Sequence, residues 1–268
     1  MVEPRTVLDL TAAGVDQMAP LLEAENLVSQ LNQFTSRGLP QLSLDTVRLL
    51  APVERQEVWA VGVTYLRSKK ARMEESDFSA TAYDRVYDAP RPELFFKALA
   101  EKVVSPGEAV GIRRDSGWNV PEPELVLVLN SRGQIVGFTI GNDMSSREIE
   151  GENLLYLPQA KIYDRCCAVG PFITVGVDEA TARTWKIDLQ IQRAGRTVFH
   201  GETSVGQIKR TFAELVNYLF RSQTFPHGAV LLTGTGIVPA DGFTLQSGDH
   251  IQISIDGIGT LENSVIEV

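Results

Sequence analysis

The stretch Val120–Lys161 decides the fold, and it begins Val-Pro-Glu-Pro-Glu-Leu-Val-Leu-Val-Leu at residues 120–129. A short polar segment, Ser131-Arg132-Gly133, separates this run from a second one, Ile-Val-Gly-Phe-Thr-Ile, at residues 135–140. Two apolar runs rich in β-branched residues and joined by a polar, glycine-containing turn are typical of a β-hairpin. The sequence therefore predicts a hairpin whose strands begin and end near residues 120 and 143.

Three carboxylates lie at the open end of this predicted hairpin. Glu122 and Glu124 enter the first strand, and Asp143 leaves the second. Because strand side chains alternate between faces, the two glutamates share one face, about 7 Å apart along the strand. The hairpin folds both ends side by side, so all three carboxylates can converge on one point. Such a cluster repels itself, and a hard divalent cation would relieve the repulsion.

The types of side chain in this cluster restrict the metal that it can hold. Oxygen donors without a neighbouring His or Cys favour Mg²⁺, Mn²⁺ or Ca²⁺ over Zn²⁺. A second interpretation is structural: Glu122 and Glu124 would be solvated charges at a strand edge, and Asp143 would cap a helix that starts near Ser145 or Ser146. The spacing alone leaves both interpretations open.

Composition excludes several classes of function. The chain has 268 residues and a net charge of -9, without a basic block that would bind nucleic acid. No apolar run approaches the roughly 20 residues that cross a membrane, and the first residues lack the pattern of a signal peptide. The two cysteines, Cys166 and Cys167, are adjacent and suit no disulfide framework. We expect a cytoplasmic protein that binds neither nucleic acid nor membrane.

The rest of the chain predicts an α+β protein that is mainly β. Residues 1–54 carry a helical pattern between Met18 and Leu31 and form a small N-terminal portion, whereas residues 55–268 hold the chemistry. Most apolar runs in the second part are short and bounded by turns, and Ile208–Phe220 is its clear amphipathic helix. Helices and strands do not alternate in the way that a parallel sheet would require.

Several motifs together resemble one known family over about residues 55–268. They are Pro121-Glu122-Pro123-Glu124, Gly141-Asn142-Asp143-Met144-Ser145-Ser146-Arg147, Ala160-Lys161, Val169-Gly170-Pro171, residues 233–238 and residues 257–261. This combination is similar to the fumarylacetoacetate hydrolase family. The resemblance implies a mixed β-sandwich roll of that family's C-terminal type, a homodimer or higher homo-oligomer, and Mg²⁺ held by Glu122, Glu124 and Asp143.

The family contains both carbon–carbon hydrolases and sugar-acid dehydratases. Hydrolase members usually carry a water-activating His after a Gly-x-Asn-Tyr segment, whereas here residues 62–65 are followed by Leu66-Arg67-Ser68, with Ser68 at that place. Residues 63–68, 91–97 and 155–161 instead resemble the 2-keto-3-deoxy-D-arabinonate dehydratase branch. That resemblance implies a hydro-lyase that converts a 2-oxo-3-deoxy sugar acid to a 2,5-dioxo acid. The alternative is a family hydrolase that cleaves a diketo acid or an acylpyruvate.

The same resemblance assigns roles to further residues. Glu93 and Lys161 would handle protons beside the metal, where a chelated 2-oxo acid loses a proton from its CH₂ group to give a metal-stabilised enolate. Which of the two is base or acid stays open. Substrate contacts are expected from Arg67, Ser68, Lys97, Arg147 and Thr235. For Arg147 an ion pair that holds the hairpin end is the alternative, and for Thr235 a plain turn.

A third hypothesis is a non-catalytic β-rich module that binds Ca²⁺ or carbohydrate. It leaves Glu93 and Lys161 without a shared function, whereas both enzyme hypotheses use them.

Overall fold

The structure, a computed structural model, describes residues 6–67, 85–240 and 242–268. In these residues the strands are β1 (Thr6–Leu8), β2 (Gln41–Ser43), β3 (Glu57–Gly62), β4 (Glu93–Ala98), β5 (Ala109–Ile112), β6 (Asn119–Val120), β7 (Pro123–Leu129), β8 (Ile135–Asp143), β9 (Ser145–Ser146), β10 (Cys167–Thr174), β11 (Lys186–Arg193), β12 (Arg196–Ser204), β13 (Ala229–Leu232), β14 (His250–Ile255) and β15 (Gly259–Glu267). The α-helices whose bounds the structure describes are α1 (Ala19–Leu22), α2 (Leu27–Thr35), α3 (Arg147–Glu152), α4 (Leu157–Lys161), α5 (Glu179–Ala182) and α6 (Phe212–Phe220).

Two mixed sheets make up most of the described chain. The six-stranded sheet has the order β10-β8-β7-β13-β3-β4, with every neighbouring pair antiparallel except β13 and β3. The five-stranded sheet has the order β12-β11-β14-β15-β5, and only β15 and β5 run parallel. Strands therefore dominate, as predicted, and the mixed β-sandwich is confirmed.

The predicted hairpin is the pair β7 and β8 inside the six-stranded sheet. The strands run antiparallel, with Glu124 opposite Gly141. At the turn, the side-chain oxygen of Asn130 accepts the N–H groups of Arg132 and Gln134 at 3.1 and 3.0 Å. All of β7 is buried, because it lies between β8 and β13 in the sheet and both of its faces are covered. This central position explains its continuous apolar sequence.

The core lies between the two sheets. Along β11 the apolar side chains Ile187, Leu189 and Ile191 are fully buried, and the residues between them are not. This alternation is the period of a strand with one face in the core. From the other sheet, Phe138 packs edge-on against Trp185, with 5.8 Å between ring centroids.

Two of the predicted elements begin or end elsewhere. The helix predicted over Ile208–Phe220 starts at Phe212, because the Thr211 hydroxyl accepts the Glu214 N–H at 3.1 Å and caps it there. The single N-terminal helix predicted between Met18 and Leu31 is divided into α1 and α2.

The break between α1 and α2 serves a contact with the hairpin turn. The Glu23 carboxylate, just after α1, accepts the N–H and O–H of Ser131 at 2.7 and 2.8 Å. Leu22 and Leu27 pack with Val128 of β7. The N-terminal portion is thus attached to the end of the hairpin that lies away from its carboxylates, and the boundary at residues 54/55 stays a prediction.

None of the helices in the described residues combines the length and the apolar composition that crossing a bilayer requires. Cys166 and Cys167 are both buried and both free thiols, as their adjacency predicted.

The packing of β11 gives a stability prediction. Leu189 is fully buried, whereas Leu155 is 84% exposed. We expect L189A to lower the free energy of unfolding by about 2–5 kcal/mol, since it leaves a cavity between the sheets. The matched variant L155A should stay within about 0.5 kcal/mol of the parent protein. Urea unfolding measures both, and equal losses for the two variants would contradict this view of the core.

Candidate metal centre and active site

The three carboxylates predicted to bind metal meet at the open end of the hairpin. Glu122, Glu124 and Asp143 each place a carboxylate oxygen within 4.8 Å of the others. The backbone brings them together, because the Asp143 N–H donates to the Glu122 carbonyl at 3.0 Å. We call these three residues the carboxylate cluster.

Burial decides between the two interpretations of the cluster. Its members are only 1–4% exposed, so they are not solvated charges at a strand edge. Asp143 is the last residue of β8, and the helix that follows is capped instead by Ser146, whose hydroxyl accepts the Ile149 N–H at 3.3 Å. The structural interpretation of the carboxylates is therefore wrong.

Lys161 lies against the cluster at the end of α4, where it is 1% exposed. Its ammonium donates to Glu122 Oε2 at 2.7 Å, to Asp143 Oδ2 at 3.3 Å and to Ser145 Oγ at 2.5 Å. The Phe95 ring lies 5.8 Å from the same nitrogen. An ammonium has three protons, and here each has an acceptor. Ser145 is a contact that the sequence analysis missed.

Lys97 lies behind the cluster and is completely buried. Its ammonium forms an ion pair with Asp143 Oδ1 and donates to the Met144 and Lys161 carbonyls, the former at 2.9 Å. Burial alone would lower the pKa of Lys97, but the Asp143 carboxylate and the Cys166 and Cys167 thiols together outweigh this effect, and the pKa is raised. The predicted substrate contact of Lys97 stays a prediction, and its position favours a role in holding Asp143.

Arg147 is the first residue of α3 and is 1% exposed. Its guanidinium forms an ion pair with Glu122, with Nη2 2.8 Å from Oε1, and lies 3.9 Å from Glu150 Oε2. These contacts fit the structural alternative, an ion pair that holds the end of the hairpin. The predicted substrate contact of Arg147 is a separate matter and stays a prediction.

The glycine-rich loop after β13 contacts the cluster through its backbone. The Gly234 N–H donates to Glu124 Oε2 at 2.6 Å. Gly234 has a φ of +92°, and an added Cβ would lie 2.2 Å from the Thr64 hydroxyl, so only glycine fits here. Thr235 lines the cavity, where its hydroxyl donates to the Ile237 carbonyl at 3.2 Å.

Strand β4 presents Glu93, Phe95 and Lys97 on one face, toward the carboxylate cluster. Glu93 and Phe95 line the same cavity as the cluster, Lys161 and the buried Glu150. Phe96 points the other way and packs on Trp59, with 5.9 Å between ring centroids. The alternation of this strand was visible in the sequence and would have separated Phe96 from the site.

Gly62 is a second residue that the sequence analysis did not single out. An added Cβ at this position would lie 1.9 Å from Glu93 Oε2, so the Glu93 carboxylate rests directly on the glycine backbone. The register of the sheet explains the contact, since Gly62 of β3 is the partner of Glu93. A side chain here would displace the carboxylate.

The electrostatics of the cluster fit a divalent cation. Burial raises the pKa of Glu124 well above its ordinary value, and the neighbouring Asp143 and Glu122 carboxylates raise it further. Negative charge is therefore in excess despite the buried lysines. Hard oxygen donors in this arrangement suit Mg²⁺, and the second group that could hold an ion, Asp188, His200 and Glu202, is largely exposed.

The remaining predicted residues lie outside this arrangement. Arg67 is exposed and is not among the described residues that line the cavity. Ser68 lies outside the described residues. All three histidines, at 200, 227 and 250, are in the described part of the chain, and none of them lines the cavity.

Known proteins are similar to this chain in sequence and in fold. A probable 2-keto-3-deoxyxylonate dehydratase of Haloferax volcanii is 52% identical over 217 residues, which cover 81% of this chain and 74% of the relative. A 2-dehydro-3-deoxy-D-arabinonate dehydratase of Saccharolobus solfataricus is 42% identical over 226 residues, 83% of this chain and 76% of the relative.

A solved structure of 2-keto-3-deoxy-D-arabinonate dehydratase complexed with magnesium and 2,5-dioxopentanoate superposes with a TM-score of 0.78 at 36% identity, covering 90% of this chain and 89% of that one. The family model for the fumarylacetoacetate (FAA) hydrolase C-terminal domain matches residues 57–266. Since this match spans most of the chain, including the carboxylate cluster, the chain belongs to the fumarylacetoacetate hydrolase family.

Proposed function

We propose that the chain is a Mg²⁺-dependent hydro-lyase that dehydrates a 2-oxo-3-deoxy sugar acid, such as 2-keto-3-deoxy-arabinonate, to 2,5-dioxopentanoate. The observation that carries the proposal is the cavity in which Glu93 and Lys161 meet the carboxylate cluster. Relatives at 52% and 42% identity are named as dehydratases of such acids. A non-catalytic module would not explain why a carboxylate and an ammonium share one cavity with a metal centre.

Glu122, Glu124 and Asp143 would hold the metal. When bound, Mg²⁺ supplies Lewis-acid activation of the 2-oxo group, which acidifies the neighbouring C3. The chain's own residues then have to orient the acid and move its protons.

Glu93 is the better candidate for the base. Its carboxylate rests on the Gly62 backbone at one side of the cavity. The three Lys161 protons already point to acceptors, so Lys161 is suited to hold negative charge as an ammonium. In this scheme Glu93 takes a C3 proton and returns it to the hydroxyl that leaves C4 as water. Migration of the double bond toward C5 and tautomerisation then give the 2,5-dioxo acid.

The two substrate names of the relatives can describe one compound. A 2-oxo-3-deoxy pentonate has lost the stereocentres at C2 and C3, which distinguish arabinonate from xylonate. Only C4 remains, so acids of the same series become identical. We infer that this chain acts on a 2-oxo-3-deoxy pentonate, in which C4 is the single stereocentre.

A family hydrolase is the alternative. Hydrolysis of a carbon–carbon bond needs a base that activates water, usually a histidine in this family. His200 instead pairs with Asp188 at 2.5 Å on an exposed strand, and His250 lies 3.4 Å from Glu262. Neither contact is part of the cavity, which favours dehydration over hydrolysis.

We also propose a homodimer or higher homo-oligomer in the cytoplasm, which rests on the family resemblance and on two buried free thiols. Sedimentation equilibrium of the purified protein tests the assembly.

Incubation with substrates tests the reaction itself. With Mg²⁺, we expect 2-keto-3-deoxy-D-arabinonate to lose one water and an acylpyruvate to stay intact, because the cavity offers proton transfer without a water-activating histidine. Mass spectrometry and proton NMR detect both outcomes, and a chelated sample is the control. Cleavage of the acylpyruvate without dehydration of the sugar acid would overturn the proposal.

The role of Glu93 in proton transfer can be tested by substituting Gly62, on which its carboxylate rests. The G62A variant adds a methyl group where the carboxylate now lies, so we expect kcat to fall by about 10²-fold or more, as for E93Q. Mg²⁺ affinity should persist in both, since neither residue belongs to the carboxylate cluster. The control is G117A, where the nearest atom to an added Cβ is 3.6 Å away. An E93Q variant that keeps the kcat of G117A would exclude Glu93 from proton transfer.

The raised pKa of Glu124 predicts how pH affects stability. A carboxyl group with a raised pKa in the folded state stabilises the fold at low pH, and this contribution is lost as pH rises through that pKa. Bound Mg²⁺ needs the ionised form. We therefore expect the increase in Tm caused by Mg²⁺ to grow with pH.

Thermal unfolding with Mg²⁺ or with a chelator, at a series of pH values above the ordinary pKa of a glutamate carboxyl group, measures this trend. The E124Q variant should lose the trend, whereas the exposed-site variant E101Q should keep it. A Mg²⁺-dependent increase in Tm that shrinks as pH rises would contradict the assignment.

A further inference from the structure

Every member of the carboxylate cluster has one oxygen atom paired with a cation or a backbone N–H group of its own, and we call these three groups the donors. The pairs are Arg147 Nη2 with Glu122 Oε1 at 2.8 Å, Lys97 Nζ with Asp143 Oδ1, and the Gly234 N–H with Glu124 Oε2 at 2.6 Å. The three donors come from three separate elements, namely α3, β4 and the loop after β13. Each donor is buried, so water does not compete for the oxygen that it holds.

The second oxygens of two carboxylates face a common point. Glu122 Oε2 and Asp143 Oδ2 both contact the Lys161 ammonium, at 2.7 and 3.3 Å. The oxygens held by Arg147 and Lys97 are the other ones of each pair. Lys161 lines the cavity, whereas Lys97 and Arg147 are not among its described lining residues. In Glu122 and Asp143, one oxygen therefore pairs with a cation outside the cavity, and the other pairs with Lys161 on the cavity side, where a metal ion would compete with that ammonium.

We propose that Lys97, Arg147 and the Gly234 N–H restrict each carboxylate to one metal-facing oxygen, and that this restriction selects Mg²⁺ over Ca²⁺. The inference rests on the Mg²⁺ centre of the proposed function. Mg²⁺ requires a near-octahedral shell, whereas Ca²⁺ accepts bidentate carboxylates and a larger shell. Three single oxygens fill half of an octahedron and leave the other half open.

The open half is what the chemistry needs. A 2-oxo acid chelates through one carboxylate oxygen and its keto oxygen, so it takes two neighbouring positions. A carboxylate that turned to bind through both oxygens would occupy one of them. Lys97 and Arg147 are therefore positioning residues, which act on substrate binding through Asp143 and Glu122.

The wild-type protein gives the first test. Loaded with Mn²⁺ in place of Mg²⁺, it should show half of the octahedral positions filled by exchangeable water, counted by electron–nuclear double resonance in heavy water. A smaller number of water ligands would mean bidentate carboxylates and would overturn the proposal.

Two variants give the second test. K97M frees Asp143 Oδ1, and R147M frees Glu122 Oε1, in each case with an uncharged and shorter unbranched side chain. We expect each variant to lose one water ligand and to bind Mg²⁺ roughly 10- to 100-fold more weakly. Ca²⁺ should lose less, so the ratio of the two dissociation constants, measured by calorimetry, shifts toward Ca²⁺. The exposed-lysine variant K102M should match the wild type.

The outcomes separate this inference from the proposed function. If the wild type binds no divalent cation, the Mg²⁺ centre itself is refuted. If it binds Mg²⁺ but a folded K97M or R147M variant keeps the wild-type water count and Mg²⁺ to Ca²⁺ ratio, only the restriction of the carboxylates is refuted. Should a variant fail to fold, as circular dichroism would show, the wild-type water count still decides.

Discussion

The fold around the active site depends on one electrostatic constraint, the burial of like charges at the end of a hairpin. Three carboxylates lie within 4.8 Å of each other and are almost fully buried. Each buried ion loses several kcal/mol of solvation, which its partners have to offset with well-placed charges and hydrogen bonds. The surrounding elements supply these partners: Lys97 comes from β4, Arg147 from α3 and Lys161 from α4. A loop contributes a backbone N–H.

The carboxylates and their cationic partners come from different elements, which explains why the site is distributed along the chain. A hairpin can bring carboxylates together through its own register, but its alternating side chains leave no room for three cations between them. The cations therefore arrive from elements packed against it. Strand β4 contributes the largest number of side chains around the cluster, because alternate residues of a strand share a face and Glu93, Phe95 and Lys97 therefore lie on the same side. One strand thus delivers a carboxylate to the cavity and an ammonium to the rear of the cluster.

The sequence was informative where local rules act. Hairpin register and face alternation predicted the convergence of Glu122, Glu124 and Asp143. The motifs that contain these residues and Lys161 indicated the family. The sequence was less informative where a role depends on how deeply a side chain is buried. Nothing in the residue type of Lys97 distinguishes a position behind the cluster from one in the cavity. The same holds for Gly62, whose importance arises from its partner across the sheet. The helix predicted from Ile208 begins only at Phe212. The Thr211 hydroxyl caps it there, although the apolar spacing continues before that residue.

The balance of buried charge links the metal to the substrate class. Among the described residues around the site, four buried carboxylates, which include Glu150, face three buried cations and leave one net negative charge. Burial and that excess of negative charge together raise the pKa of Glu124, since protonation is the way in which the isolated protein can reduce the charge. A divalent cation alone would reverse the sign. Among these fully buried groups, a divalent cation together with a monoanionic 2-oxo acid brings the sum to zero, which a neutral sugar would not do. The half-buried Glu93 of the same cavity is outside this sum. The cavity is thus built for a metal and an acid that bind together.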